Sequence, residues 1–348
     1  MKIEEIAGFE LPGKDGRCDY IGLSSRALQT YALLWQLEAW MRRMVYVEIK
    51  SFSRDFLAEL KSCGVNAGER SLEAEAKMVH MKTPERENIS YMDLSQIIKV
   101  IDEKWVLFSS YLPPKDIFLS KMQEVRQIRN RVAHFRKGHC DDHARVTQMV
   151  RDMDRSVWLL CSTYNNPEPC LPPDSDAITR KFLHLDPFPW TLASDGVWGR
   201  CGFADPNMRI AVSIEMMHRP WLARPESFSR NEGKIYDVNI HARGANHINY
   251  RDLIGYCEKI IEDIIHIVLD DFAKSLRITI PAVLGEEKIM DIIEKTIKFT
   301  EYSMRPGATQ IGSSFINEQC DRWPEKILTP YDPLAFISSS MPCSIMDF

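Results

Sequence analysis

Long apolar runs are missing from this chain: no stretch reaches the roughly 18 residues that a membrane span requires, because Gln36 and Glu38 interrupt the best N-terminal candidate. The opening Met-Lys-Ile-Glu-Glu-Ile has no basic region followed by an apolar core, so no secretory leader is expected. C-x-x-C pairs are also missing. The nine cysteines, at 18, 63, 140, 161, 170, 201, 257, 320 and 343, are odd in number and several fall inside helical patterns. They are expected to be reduced thiols packed as small apolar groups, which sets aside a zinc ribbon or a disulfide scaffold and points to the cytoplasm. Nor is there an excess of positive charge. Forty-four basic against 49 acidic residues leave a formal charge of −5, so any nucleic-acid contact must come from a local patch. G-x-x-x-x-G-K-[ST], a G-x-G-x-x-G after a strand, and G-x-S-x-G do not occur, which excludes a P-loop, a Rossmann cofactor site and a serine-hydrolase elbow. No cofactor is called for.

What is present is a chain of 348 residues, 45% of them hydrophobic and 27% charged, enough for about two globular domains. Apolar residues at three- and four-residue steps (Leu28, Tyr31, Leu34, Trp35, Leu37, Met41, Met44, Val45) predict a helix over about 24–60 with a break near 51–53 and one buried face. A polar stretch follows, then an apolar-periodic segment over 91–108 that Pro113–Pro114 terminates. A third helix is expected over about 115–135. A fourth would be capped by Asp141–Asp142 and carry Val146, Met149, Val150, Met153, Val157 and Trp158. These elements make an all-α bundle over 1–163. The run from Asn165 to Asp176 holds four prolines and suits a stiff linker over 164–176.

Beyond it, 177–348 reads as an α+β domain. Period-two alternation predicts antiparallel strands over 197–204, 209–218 and 234–243. A long helix is expected over about 250–276, a β-like run over 278–284, a helix over 286–302, and little regular pattern in the last 45 residues. On the third strand Asp237, Asn239, His241 and Arg243 share a face opposite Tyr236, Val238, Ile240 and Ala242. That polar face is expected to be the solvated side of a one-sided sheet, with ligand or RNA binding as the rival reading.

The chemistry-bearing residues cluster on the third helix, in E-V-R-Q-I-R-N-R-V-A-H-F-R. At 100° per residue, Val125, Ile128, Val132 and Phe135 face a core, while Arg126, Arg129, Asn130, Ala133 and His134 occupy an arc of about 140° on the other side. Asn130 and His134 are one turn apart, so their side chains can touch. Lys121, Arg131, Arg136 and Lys137 flank the arc against one acid, Glu124, making a local phosphate-binding patch. An imidazole titrating near neutrality can take the proton of a ribose 2′-OH or protonate the leaving 5′ oxygen. A guanidinium holds the phosphate and offsets charge developing on its oxygens. The set suits metal-independent RNA cleavage, giving a 2′,3′-cyclic phosphate (or 3′-phosphate) and a 5′-hydroxyl. The bland alternatives are a surface His134 hydrogen-bonded to Asn130 and an Arg126 paired with an acid such as Glu38.

The run I-R-N-R-V-A-H, with Arg129 and Asn130 followed by His134, resembles the R-x4-6-H signature of the HEPN superfamily of helical ribonucleases. Glu38 and Arg42 on the first helix, Trp105 and Phe108 ahead of the motif, and the closing helix agree with it, over about residues 20–163. The resemblance, to defence- and toxin-type members, implies that Arg129 and His134 are catalytic, that Asn130 orients His134, and that Glu38 supports the site. Arg126, Arg131, Arg136 and Lys137 would bind RNA, either tRNA or other host or invader RNA whose cleavage arrests growth. It further implies a homodimer or higher homo-oligomer whose motif helices meet in a composite site, and a role in stress, abortive infection or antiphage defence. The C-terminal domain would then sense a trigger, bind substrate or restrain the nuclease. A non-catalytic RNA- or nucleotide-binding module, or the toxin half of a pair held silent by an antitoxin, are the alternatives.

His139-Cys140-Asp141-Asp142-His143 offers metal-ligand types at short spacing, but capping by the two Asp accounts for them without a metal. His266, among Ile264, Ile265, Ile267 and Val268, is expected in a core or interface.

Overall fold

The computed structural model describes residues 25–78, 80, 87–134, 136, 138–171, 176–200, 207–223, 228–307 and 313–341. Phe135 and Lys137, assigned above to the core face and to RNA binding, lie outside the described residues, as do Cys18, Cys201 and Cys343. No helix among the described residues is long and apolar enough to cross a membrane.

The N-terminal region is helical, as its periodicity predicts. Helix α1 (Ser25–Phe52) ends where Ser51 and Ser53 interrupt the apolar pattern, and α2 (Phe56–Ser62) restarts behind an Asp55 cap that accepts from the Ala58 amide. Helix α3 (Glu69–Ala76) and a short 3₁₀ turn (Asn88–Tyr91) follow. Helix α4 (Leu94–Glu103) begins with a reciprocal capping box between Asp93 and Gln96, and α5 (Trp105–Phe108) leads to the double proline. Helices α6 (Lys115–Ala133) and α7 (Asp142–Tyr164) close the bundle. Two residues depart from the reading of the first helix. Leu34, Leu37, Met41, Met44 and Val45 are buried, but Tyr31 and Trp35 are exposed.

The C-terminal region is built on a six-stranded sheet in the order β1-β4-β5-β8-β7-β10. Its strands are β1 (Glu168–Pro169), β4 (Ile210–His218), β5 (Lys234–Ala242), β7 (His266–Leu269), β8 (Ser275–Pro281) and β10 (Ile327–Leu328). All neighbours are antiparallel except β7 and β10. The remaining strands pair in two small ribbons: β2 (Trp190–Ser194) with β3 (Val197–Arg200), and β6 (Asn246–Ile248) with β9 (Met304–Pro306). Helices α8 (Ala177–Phe182), α9 (Tyr250–Cys257), α10 (Glu286–Ser303), α11 (Ser313–Arg322) and α12 (Pro333–Phe336) complete the described elements.

Three expectations are corrected here. The helix over 250–276 stops at Cys257, and its second half is strand β7, followed by β8 from Ser275. Ile264 to Leu269 is β-branched or apolar at every position but His266, which by periodicity alone fits a buried helix or a strand covered on both faces. The last residues carry α11, β10 and α12 rather than irregular chain. The proline-rich segment also contributes to the sheet: Glu168 and Pro169 pair with Met216 and Glu215 at its edge, where a proline's missing N–H is tolerated.

The polar face of β5 is not free to solvent along its length. Tyr236, Val238, Ile240, Leu276, Ile278 and Ile280 pack against α9 and α10 in one core. On the opposite face, Ile235, Met217 and Leu328 join the core of the helical bundle. Asp237 is buried there and receives Arg277 Nε at 2.7 Å, while Arg277 Nη1 also reaches Asn165 Oδ1 at 2.7 Å. His241, further along, is exposed. The sheet is therefore covered on both sides, bundle on one and α9–α10 on the other. Tyr46 Oη donates to the Ile265 carbonyl at 3.0 Å, Lys50 Nζ to the Glu262 carbonyl at 2.6 Å, and the Gly233 amide to Ser51 at 2.8 Å. At Gly233, φ is 70°, and a Cβ would stand 2.7 Å from Trp221, so glycine is required on both counts.

Candidate functional site

Helix α6 owes its straight run from Lys115 to Ala133 to the prolines before it and to a row of buried side chains, Phe118, Met122, Val125 and Ile128. That row turns the opposite arc outward, as its 100° spacing demands. Arg126, Arg129 and Asn130 are half-buried, and Ala133, His134 and Arg136 are exposed. The arc is thus assembled by one helix and open to solvent.

Two details of the expected site differ. The helix ends at Ala133, and His134 is its C-cap, with φ −97° and ψ 17°; its amide donates to the Asn130 carbonyl at 3.2 Å. Among the described residues no hydrogen bond joins the Asn130 and His134 side chains. The acid near the arc is engaged by Arg129 instead of Arg126: Arg129 Nε stands 3.7 Å from Glu38 Oε2, and Arg42 Nη2 3.2 Å from Glu38 Oε1. Burial raises the Glu38 pKa above the ordinary carboxylate value, and the charges of Arg129 and Arg42 only partly oppose it. At 3.7 Å the Arg129 contact is a loose ion pair and leaves most of the guanidinium fork available.

The flanking cations are sorted by their partners. Arg131 is removed from the proposed patch: its Nε donates to Asp142 Oδ2 at 3.1 Å and its Nη2 contacts Oδ1 of the same carboxylate. Asp142 is buried, a condition that disfavours its charged form. Hydrogen bonds from Arg131 and from the His139 amide outweigh that and hold its pKa below the usual range. Asp142 therefore clamps the α6–α7 connection and makes no N-terminal cap, which corrects the capping role expected for it. Lys121 is paired with Asp152, and Glu124 with Arg145. Arg126 has no ion pair among the described residues. Among the described residues of the patch, the cations that remain are Arg126, Arg129 and Arg136, with His134 beside them.

In the His139–His143 cluster, the Asp142 carboxylate is committed as described and His143 Nδ1 lies 3.3 Å from Thr30 Oγ1. A cleft of about 430 Å³ lies elsewhere, between the end of α7 and the sheet edge, lined by Thr163, Asn166, Glu168, His218, Arg219 and Leu222; none of them belongs to the arc.

Sequence reasoning missed a buried polar group that ties the bundle to the sheet. Glu48 and Arg219 form a buried ion pair, joined by Tyr111 and by Trp221 Nε1, which donates to Glu48 Oε2 at 2.7 Å. The one legible signal was a charged residue inside the apolar run Met44–Ile49, where every side chain is buried. His266 is buried at the junction of bundle and sheet, 2.6 Å from Tyr164 Oη, as its apolar surroundings suggested. Burial lowers its pKa well below the ordinary imidazole value, and the charges of Arg43, Arg277 and Arg219 act in the same direction.

Compared with protein-family models, with curated proteins and with solved structures, the chain matches none.

Proposed function

We propose that the N-terminal bundle is a metal-independent endoribonuclease of HEPN type, acting as a defence or toxin effector, in which His134 and Arg129 do the chemistry. The observation that carries this reading is the contrast along one helix. Lys121 and Arg131 are held by close ion pairs, while His134 and Arg136 are exposed and Arg126 and Arg129 lie half-buried on the last two turns leading to them, Arg129 with only a loose contact to Glu38. His134 takes the proton from a ribose 2′-OH, and the 2′ oxygen attacks the adjacent phosphorus. The P–O5′ bond breaks, and the 5′ oxygen takes a proton from water, whose hydroxide is neutralised by the proton that His134 gained. Arg129 offsets the negative charge that gathers on the phosphate oxygens, releasing its loose contact with Glu38 as it does so. The products are a 2′,3′-cyclic phosphate and a 5′-hydroxyl.

His134 and Arg136 are exposed, so the described part of the arc leaves a scissile phosphate open to water. A second protomer supplying its own arc across a groove would exclude water and fix the geometry, which is the homodimer the motif implies.

A binding-only module is the second reading. The engagement of Arg129 by Glu38 and the missing side-chain bond between Asn130 and His134 favour it. Incubation with total tRNA and a labelled RNA in EDTA, alongside His134→Ala, separates the two. Cleavage that survives the chelator, leaves a cyclic phosphate and disappears in the variant is the expected result. Retention of RNA without cleavage favours the binding module, and cleavage that requires a metal overturns the mechanism.

A further inference from the structure

Tyr31 and Trp35 have the spacing of core residues, yet they are 56% and 63% exposed. They sit one turn apart on α1, and with Glu38 and Arg42 they fall within an arc of about 60° at the edge of the buried face. Glu38 is the residue that meets Arg129. The direction of packing places the aromatics relative to the motif. Arg26 Nη1 donates to the Cys140 carbonyl at 3.1 Å, Thr30 meets His143, and Glu38 meets Arg129, so α1 runs antiparallel to α6 and its first turns lie beside the end of α6. Going back seven residues from Glu38 to Tyr31 covers about 10 Å of α1, and going on five from Arg129 to His134 covers about 7.5 Å of α6. Tyr31 and Trp35 therefore flank the helix end that carries His134.

From this juxtaposition we infer that Tyr31 and Trp35 form a stacking platform for unpaired nucleobases, beside the Arg129–His134 arc that takes the phosphates. The inference rests on the ribonuclease reading in that the strand it binds is RNA. Aromatic faces beside guanidinium groups are the combination that single-stranded nucleic acid recognises: the rings take any base by its π-face, and the cations follow the backbone. Charge decides the occupant. Arg126, Arg129 and Arg136 outnumber Glu38 on this surface of an otherwise acidic chain. A second copy pressed directly on the ridge by a two-fold axis would bring cationic arc against cationic arc, whereas a strand of RNA supplies the anions both arcs lack. Base stacking also restricts the substrate to unpaired segments, such as loops and tails, because bases inside a duplex offer no free face.

The test is binding by the full chain to two short single strands of equal length, both 2′-O-methylated so that no nucleophile is available for cleavage. One carries adenines and the other is abasic. The double variant Tyr31→Leu, Trp35→Leu is expected to lose about tenfold or more in affinity for the adenine strand and to bind the abasic strand as the parent does. Trp35→Phe, which keeps a ring, is expected to retain most of the affinity. Undiminished binding of the adenine strand by the double variant overturns the platform, as does an equal loss on both strands. A shift from dimer to monomer in sedimentation that accounts for the loss shows that the ridge meets a second copy instead. Cleavage of unmodified RNA, followed in parallel, keeps the two readings apart. A parent that binds through the rings without cutting refutes the nuclease alone, and one that cuts with binding indifferent to the rings refutes the platform alone.

Discussion

Arg219, just past the end of β4, and Glu48, inside α1, form an ion pair at 2.7 Å with both side chains fully buried. It joins the helical bundle to the sheet. Tyr111 Oη donates to Glu48 Oε1 at 2.8 Å and accepts from Arg219 Nη2 at 2.6 Å, and the guanidinium also lies over the Tyr164 ring at 5.6 Å. Three residues, Arg219, Tyr111 and Trp221, satisfy the two oxygens of one carboxylate, which is the condition under which a charge can stay ionised without water. Burial works to lower the Arg219 pKa, but the charge of Glu48 outweighs it and the guanidinium is held above its ordinary value.

Such a pair contributes little net stability as a whole, yet losing one partner strands the other in a dry interior. Arg219→Met is expected to cost about 3–5 kcal/mol. The double variant Glu48→Gln, Arg219→Met should recover part of that, because no charge is left buried. Urea unfolding of the three proteins checks it. A double variant as unstable as the single one would mean that side-chain packing, and not charge burial, sets the cost.

Glu87 gives a pH dependence of opposite character. Its carboxyl is buried, neither oxygen has a hydrogen-bond partner, and burial pushes its pKa up to about 8, with Lys326 and Lys50 opposing and Glu325 and Glu262 assisting. In the unfolded chain the same group ionises near 4.5. Between these values the folded state holds a proton that the unfolded state has released. The contribution is therefore intact below about pH 4.5 and is lost progressively as the pH rises to about 8, at no more than about 1.4 kcal/mol per pH unit. Glu87→Gln should flatten this segment of the stability profile, so that variant and parent diverge with rising pH. Thermal midpoints taken from pH 5 to 8 would show it, and parallel profiles would refute it.

Arg131 and Arg129, two residues apart, are expected to behave differently. Arg131→Ala leaves the buried Asp142 carboxylate without its cation and should destabilise the protein by about 2–4 kcal/mol, with little change in RNA affinity once the protein is folded. Arg129→Ala removes only the loose contact to Glu38 and should leave stability within about 1 kcal/mol of the parent while weakening RNA binding and cleavage. Paired melting curves and filter-binding titrations decide the matter, and a reversal of the two outcomes would relocate the patch to Arg131.

Much of this was legible in the chain itself wherever one period dominated. The break after Phe52, the start of α6 behind the proline pair, and strands β4 and β5 follow from local rules that need no partner. The outward arc of Arg126, Arg129 and His134 is legible for the same reason, because a helix with one apolar row must present the other residues outward. The run Ile264–Leu269 was not legible: a stretch apolar on both sides of His266 has no period, and its fate depends on what covers it.

Local pattern by itself determined which residues face inward along an amphipathic element. Tertiary structure alone decided which charges are spent. Arg131 and Arg129 both belong to the cationic patch read from the sequence, but Asp142 comes within reach of one and Glu38 only loosely within reach of the other. Likewise Tyr31 and Trp35 share the spacing of Leu34 and Leu37, yet the first two are exposed and the last two buried. Spacing records the direction in which a side chain leaves its own helix. What it meets there is set by long-range packing, and the energy of a charge or an aromatic ring depends on that neighbour far more than on its direction.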